Sequence, residues 1–180
     1  ARIQWLRREE KFQEAAQLML AAPKDPNRLH NLNEWWIERR LLSRKMLDVG
    51  EHRNAYLIAR DAALPSRDIY KTEQEFTAGW IALRFLKDPA VAAQHFARIG
   101  VGSVNPTALA RAGYWQGRAA EAAGRAQEAR AAYGRAKTGG TPWPLLMHLV
   151  TRPYRLFVRS SSCIGFTVMI VSIALMGWPR

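Results

Sequence analysis

An alanine followed four residues later by a second apolar residue recurs along this chain: Ala16 to Leu20, Ala55 to Ala59, Ala92 to Phe96 and Ala129 to Tyr133. The leading alanines lie 39, 37 and 37 residues apart. Positions four apart share one face of a helix, so a small residue lets a neighbouring helix approach and the next apolar one grips it. A period of this length is the mark of stacked helix pairs, each covering the apolar face of the one before. It predicts an all-α chain, an α-solenoid or superhelix of about four tetratricopeptide-like helix pairs over residues 1–137.

The turn signals fall where such a stack needs them: Ala22-Pro23-Lys24-Asp25-Pro26-Asn27, Val49-Gly50-Glu51, Leu64-Pro65-Ser66, Lys87-Asp88-Pro89 and Gly100 through Pro106. Gly50 and Gly124 suit the left-handed residue that ends a helix, and Pro89 behind Asp88 suits a first helical position after an N-cap. Between the stops run segments of about 12–17 residues with 3.6-residue apolar spacing, an ordinary helix length. Ala1 through Arg8 read as the interior of an amphipathic helix, as if cut from something longer. No strand-like alternation is evident.

In the last pair, Gly117, Gly124, Ala129, Tyr133 and Ala136 occupy the small and aromatic positions of the tetratricopeptide consensus, with the aromatic expected near Gly113 displaced to Trp115. Upstream, the run from Asn33 to Gly50 contains Trp35-Trp36-Ile37-Glu38-Arg39-Arg40, then Arg44-Lys45, then Leu47-Asp48. Further blocks are Glu75 to Leu86, Ala93-Gln94-His95-Phe96, and Ala110 to Ala119. Together these ordered blocks resemble the superhelical domain of the soluble lytic transglycosylases.

That resemblance implies an α-superhelix preceding a lysozyme-like catalytic domain, and a periplasmic enzyme that cleaves between N-acetylmuramic acid and N-acetylglucosamine with one glutamic acid. It implies no cofactor. The family's catalytic Glu-Ser pair does not occur, and no acid follows Glu128. Arg, Ser or Trp cannot replace a general acid. The segment accordingly reads as the non-catalytic scaffold, inactive alone, whose partners are glycan strands or the missing catalytic domain. The alternative is a tetratricopeptide-like protein-interaction module that never had an enzymatic partner domain, with the apolar segment Ser160–Trp178 available as a membrane tether.

Net charge is +12, unevenly spread: residues 1–128 hold 20 bases and 15 acids, whereas 129–180 hold seven bases and no acid. Interspersed signs in the first segment favour ordinary solubility over nucleic-acid binding. After Lys137 the family pattern stops, giving a second segment, 138–180. Ser160 to Trp178 is 19 residues without a charge, with Arg152, Arg155 and Arg159 before it. It is just long enough for a membrane anchor. A competing reading is out-of-frame translation, which would erase helix periodicity and caps. The lone Cys163 excludes an internal disulfide.

No catalytic, cofactor or metal residue is assigned. Trp35 and Trp36 beside Glu34 and Glu38 have the composition of a sugar-stacking platform, yet helical neighbours point about 100° apart, so at least one tryptophan packs inward. Arg39, Arg40 and Arg44 read as solvated or inter-helix partners. His30, His52, His95 and His148 lack metal-ligand spacing. His95 reads as a helix residue beside core Phe96, and Glu9-Glu10 and Glu73/Glu75 as helix-surface acids.

Overall fold

The computed structural model describes residues 1–138. Every long regular element among them is an α-helix: α1 (Arg2–Arg8), α2 (Phe12–Ala21), α3 (Leu32–Asp48), α4 (His52–Arg60), α5 (Asp68–Arg84), α6 (Pro89–Gly102), α7 (Pro106–Ala122) and α8 (Ala126–Thr138). A short 3-10 turn, Pro26–Arg28, lies between α2 and α3. The chain is all-α over the described residues. Residues 139–180, with Ser160–Trp178, Cys163 and His148, lie outside them.

Each helix packs on its neighbours in the chain, α1 on α2 through α7 on α8, and next-nearest contacts join α2 to α4, α3 to α5 and α5 to α7. The recurrent alanine falls on the second helix of each pair. Ala16, Ala55, Ala92 and Ala129 are all buried. Small residues on the first helices complete the close approach: a Cβ at Gly79 would stand 2.9 Å from Phe96 Cε1, and one at Gly113 3.2 Å from Ala136 Cβ. Between them Phe76, Phe96 and Trp115 form a triangle with ring centroids 5.9–6.1 Å apart, joining α5, α6 and α7. Trp115 thus supplies core volume at its displaced position.

The ends of the first helices share one device. At the end of α3, Glu51 N–H donates to Met46 O (2.8 Å) and Gly50 N–H to Leu47 O (3.1 Å). At the end of α7, Arg125 N–H donates to Ala120 O (2.8 Å) and Gly124 N–H to Glu121 O (2.9 Å). This paired closure satisfies two orphan carbonyls and needs a left-handed residue, here Gly50 at φ +82° and Gly124 at +74°. The end of α1 closes in the same way through Lys11 to Leu6 and Glu10 to Arg7, with Glu10 at φ +58°. At the end of α5 the left-handed residue is Lys87, at φ +56°. At the ends of the first helices left-handed residues therefore stand at 10, 50, 87 and 124, in step with the alanine repeat; Asn31, at φ +52°, is also left-handed and stands before α3 instead.

Starts are capped by side chains. Asp88 accepts from Val91 N–H (3.0 Å), Asn105 from Thr107 N–H (2.9 Å) and Asn31 from Glu34 N–H (3.3 Å), each satisfying a donor that the helix cannot.

Several expectations change. α1, Arg2–Arg8, ends at a tight turn, and Glu9-Glu10 forms that turn rather than a helix surface. With α1, α2 and α4 at seven, ten and nine residues, three helices are shorter than their apolar spacing suggested. α6 runs on to Gly102, two residues past the glycine taken as its stop. Only Ser103, Val104 and Asn105 remain as linker.

Candidate functional site at the junction of α3 to α6

Three consecutive residues of α5 reach three different partners, because helical neighbours point about 100° apart. Glu73 faces α3, where it accepts from Arg40 (2.8 and 3.0 Å) and from the Trp36 indole (3.3 Å). Gln74 donates to the carbonyls of Arg60 (3.4 Å) and Ala62 (3.2 Å) at the C-terminal end of α4. Glu75 faces α6 and holds His95 at 2.7 Å. Glu73 and Glu75 are therefore half-buried inter-helix ties, and the reading of both as surface acids is corrected.

His95 is 3% exposed. Its Nδ1 meets the Glu75 carboxylate, which only accepts, so Nδ1 carries a proton, while Nε2 pairs with the Tyr56 hydroxyl at 3.0 Å. Arg98 Nη1 lies 3.3 Å from the same Nδ1 but 3.4 Å from Glu75. Donors do not pair, so its attraction is to the carboxylate. Carboxylate, imidazole and hydroxyl stand in the order that activates a nucleophile elsewhere, yet Tyr56 is 8% exposed. With the hydroxyl inside the packing, the chain of bonds fixes α4, α5 and α6 against one another. His95 is itself core, not merely beside it.

A second polar cluster closes α2 and α4. Arg39, 1% exposed, donates to Met19 O (3.2 Å) and Ile58 O (3.0 Å), carbonyls in the last turns of those helices. A cation there meets the negative ends of two helix dipoles. Burial lowers the Arg39 guanidinium to about 10, with Asp61 acting in the opposite direction. At Asp61 burial pushes the carboxyl up, but hydrogen bonds from Arg60 (2.6 Å) and Lys24 (3.0 Å) outweigh it and hold it below its ordinary value. The Arg60 guanidinium is correspondingly raised, first by that bond to Asp61.

Beside these ties lies a hollow of about 220 Å³ between α4, the end of α5 and the start of α6. Its walls include Tyr56, Leu57, Leu86 and Val91, with Arg53, Arg60 and Asp88 as polar groups. Next to Arg53 and Leu86 in the chain, the His52 and Phe85 rings pack at a tilt of 48° with centroids 4.8 Å apart, and Trp80 extends the cluster at 5.3 Å from Phe85.

The sugar platform considered from sequence is dispersed. Trp36 is fully buried and hydrogen-bonded to Glu73, whereas Trp35 is half-exposed. Glu38 is held by Arg7 (3.2 Å) and Gln4 (3.2 Å) of α1, and Glu34 lies exposed in the first turn of α3. Arg39 and Arg40 are inter-helix partners as described; burial first, then Arg40, lowers Arg44, with Glu73 opposing. Among the described residues no group of three His, Cys, Asp or Glu side chains is placed to hold a metal, and no helix is long and apolar enough to cross a membrane.

His95 had a signal that reading from the repeat could have used: it lies three residues after the signature Ala92 and so shares its inward face. Glu75 and Tyr56, 20 and 39 residues away, had none of comparable strength. No family model, curated protein or solved structure matches this chain.

Proposed function

We propose that residues 1–137 are the non-catalytic scaffold of a periplasmic peptidoglycan lytic transglycosylase, built as an α-solenoid of tetratricopeptide-like pairs. The carrying observation is what the Asn33–Gly50 block does. Glu38 ties α3 to α1, Arg39 ties it to α2 and α4, and Arg40 with Trp36 ties it to α5. The block that gives the resemblance is thus the hub of helix packing, which is what a scaffold motif requires. The solenoid reading is supported by neighbour-to-neighbour packing and by left-handed turns at 10, 50, 87 and 124. The half-buried carboxylates Glu38, Glu73, Glu75 and Asp61 are bound to cations or to His95, consistent with structural duty.

The test is co-sedimentation of the full chain with purified sacculi, followed by analysis of the supernatant. The expected result is binding without release of 1,6-anhydro-muropeptides. Release would overturn the non-catalytic reading, and absence of binding, with no Glu-Ser-bearing domain encoded downstream, would overturn the assignment to this pathway.

A second reading, a protein-interaction module, draws on a hollow of about 300 Å³ between α6, α7 and α8. Its floor includes Ala93, Ala97 and Ala131, and Arg125 and Arg135 stand at its rim. Small side chains there let a partner helix approach closely. Capture of a protein partner by a chain that ignores sacculi would favour this reading.

A further inference from the structure

We propose that the end of the helix stack formed by the α4–α5 and α6–α7 connections docks on an anionic lipid bilayer. The inference goes beyond the scaffold reading and does not depend on it.

Placement follows from how α5 and α6 pair. Glu75 reaches His95 and, one turn further along α6, Arg98, while a Cβ at Gly79 would meet Phe96. The two helices therefore run antiparallel, and the first turn of α5 comes to the same end as the last turn of α6. Large aliphatic side chains stand out there from both connections: Leu64 and Ile69 are exposed, and Val101 and Val104 are 92% and 96% exposed. At the opposite end the turns at 10, 50, 87 and 124 each carry an acid within three residues.

Side chains as exposed as Val101 and Val104 project beyond the packing around them. A rigid partner would need a matching pocket for each, whereas a bilayer takes up separate projecting aliphatics to a depth of about 5–10 Å without one.

Charge narrows the partner to anionic lipid. From Pro89 to Ala120 the chain holds Arg98, Arg111 and Arg118 and no acid, and residues 99–110 carry no charge. Arg111 stacks inward on Phe76, which leaves Arg98, more than half exposed although 3.4 Å from Glu75, as the base behind that tip. Beside the other tip Arg67 is exposed, and the nearby acids are paired, Asp68 with Lys71 at 2.9 Å and Asp61 with Arg60 and Lys24. An uncharged tip backed by bases is the order in which a bilayer is met, acyl chains inside and phosphates at the rim. The α2–α3 connection, with exposed Asp25 and with Glu34 behind it, lies outside this surface.

The experiment uses the full chain with Cys163→Ser and one new cysteine carrying a polarity-sensitive fluorophore, so that lipid contact elsewhere in the chain does not register. Val104→Cys and Leu64→Cys report the two tips, and Val49→Cys the opposite end. With mixed phosphatidylglycerol and phosphatidylcholine vesicles, emission at 104 and 64 should rise about twofold or more and shift to the blue, with 49 unchanged and phosphatidylcholine alone far less effective. Val101→Asp with Val104→Asp should remove the response at 64. Arg67→Gln should raise the lipid concentration at half response about fivefold, the effect of one base near an anionic surface. All three side chains are exposed, so these variants keep the fold, which circular dichroism will verify. No change at either tip, an equal change at 49, an equal response to phosphatidylcholine alone, or an undiminished response at 64 in the valine variant would each overturn the proposal. A response at 104 that grows with protein concentration in the absence of lipid would also overturn it and assign this end to a second copy of the chain. Sacculus co-sedimentation is read separately, so failure here leaves the scaffold reading standing.

Discussion

Removing the Arg39 guanidinium should loosen the first half of the described helices as a unit. In Arg39→Met the stem's packing is kept while two charge-assisted hydrogen bonds, to Met19 O and Ile58 O, are lost. Each such bond contributes about 1.5–3 kcal/mol, so the gross loss is about 3–6 kcal/mol. Against it stands relief of the buried charge. Its lowering from 12.5 to about 10 corresponds to roughly 3 kcal/mol at 1.36 kcal/mol per unit. The net expectation is destabilisation by about 2 kcal/mol, and about 4 for Arg39→Ala, where a cavity is added. Arg39→Lys should fall near Arg39→Met, because an ammonium lacks the planar fork that spans two carbonyls. Urea unfolding followed by far-UV circular dichroism measures this, with the midpoint falling at unchanged slope. A Met variant as stable as the parent would refute the reasoning, since buried charges replaced by apolar groups sometimes gain stability. Burial would then outweigh the two helix-end bonds.

Three other outcomes follow from the geometry. Asp61 is depressed below 3.8 in the folded chain, so its contribution is present above that value and is lost as pH falls through the folded one. Asp61→Asn should cost under about 1 kcal/mol at pH 7 and flatten the acid limb of a stability-versus-pH curve below about pH 4; an unchanged limb would contradict this. Lys87, left-handed at φ +56°, should be replaceable by glycine with a gain of about 0.5 kcal/mol after the added chain entropy is subtracted, read as a higher urea midpoint. Gly117→Ala would drive a Cβ into the Tyr133 ring, 2.6 Å from its Cδ1, and should cost about 1–3 kcal/mol in the same assay. Adding Tyr133→Ala should make the pair clearly non-additive.

What was legible in sequence was whatever a local rule decides. The helical character, the inward alanines and the turns at Gly50 and Gly124 all follow from spacing and from the one residue type that adopts positive φ freely. Glu10 and Lys87 occupy equivalent turns without that signal, because packing of the flanking helices imposes a conformation that their own preferences oppose. The sequence leaves Arg39 as either a solvated group or a partner between helices, and its near-complete burial is hidden, since arginine is among the residues least often buried. The Glu75–His95–Tyr56 chain depends on which helix faces which, so spacing along the chain carries little of it. The same holds for the hollow, whose walls come from α4, α5 and α6.

Glu73, Gln74 and Glu75 give α5 a particular sensitivity to length. One residue inserted within the helix ahead of Glu73 turns everything on one side of it by about 100° relative to the other. With the N-terminal part of α5 held in place, Glu73 would meet the carbonyls at the end of α4 where an amide now donates, Gln74 would meet His95, and Glu75 would turn toward the core direction of Phe76. A same-size insertion in the Ala22–Asn31 connection, placed clear of Lys24 and of the Asn31 cap, turns no helix face away from its partner. Length variants should therefore collect in that connection and be purged from α5.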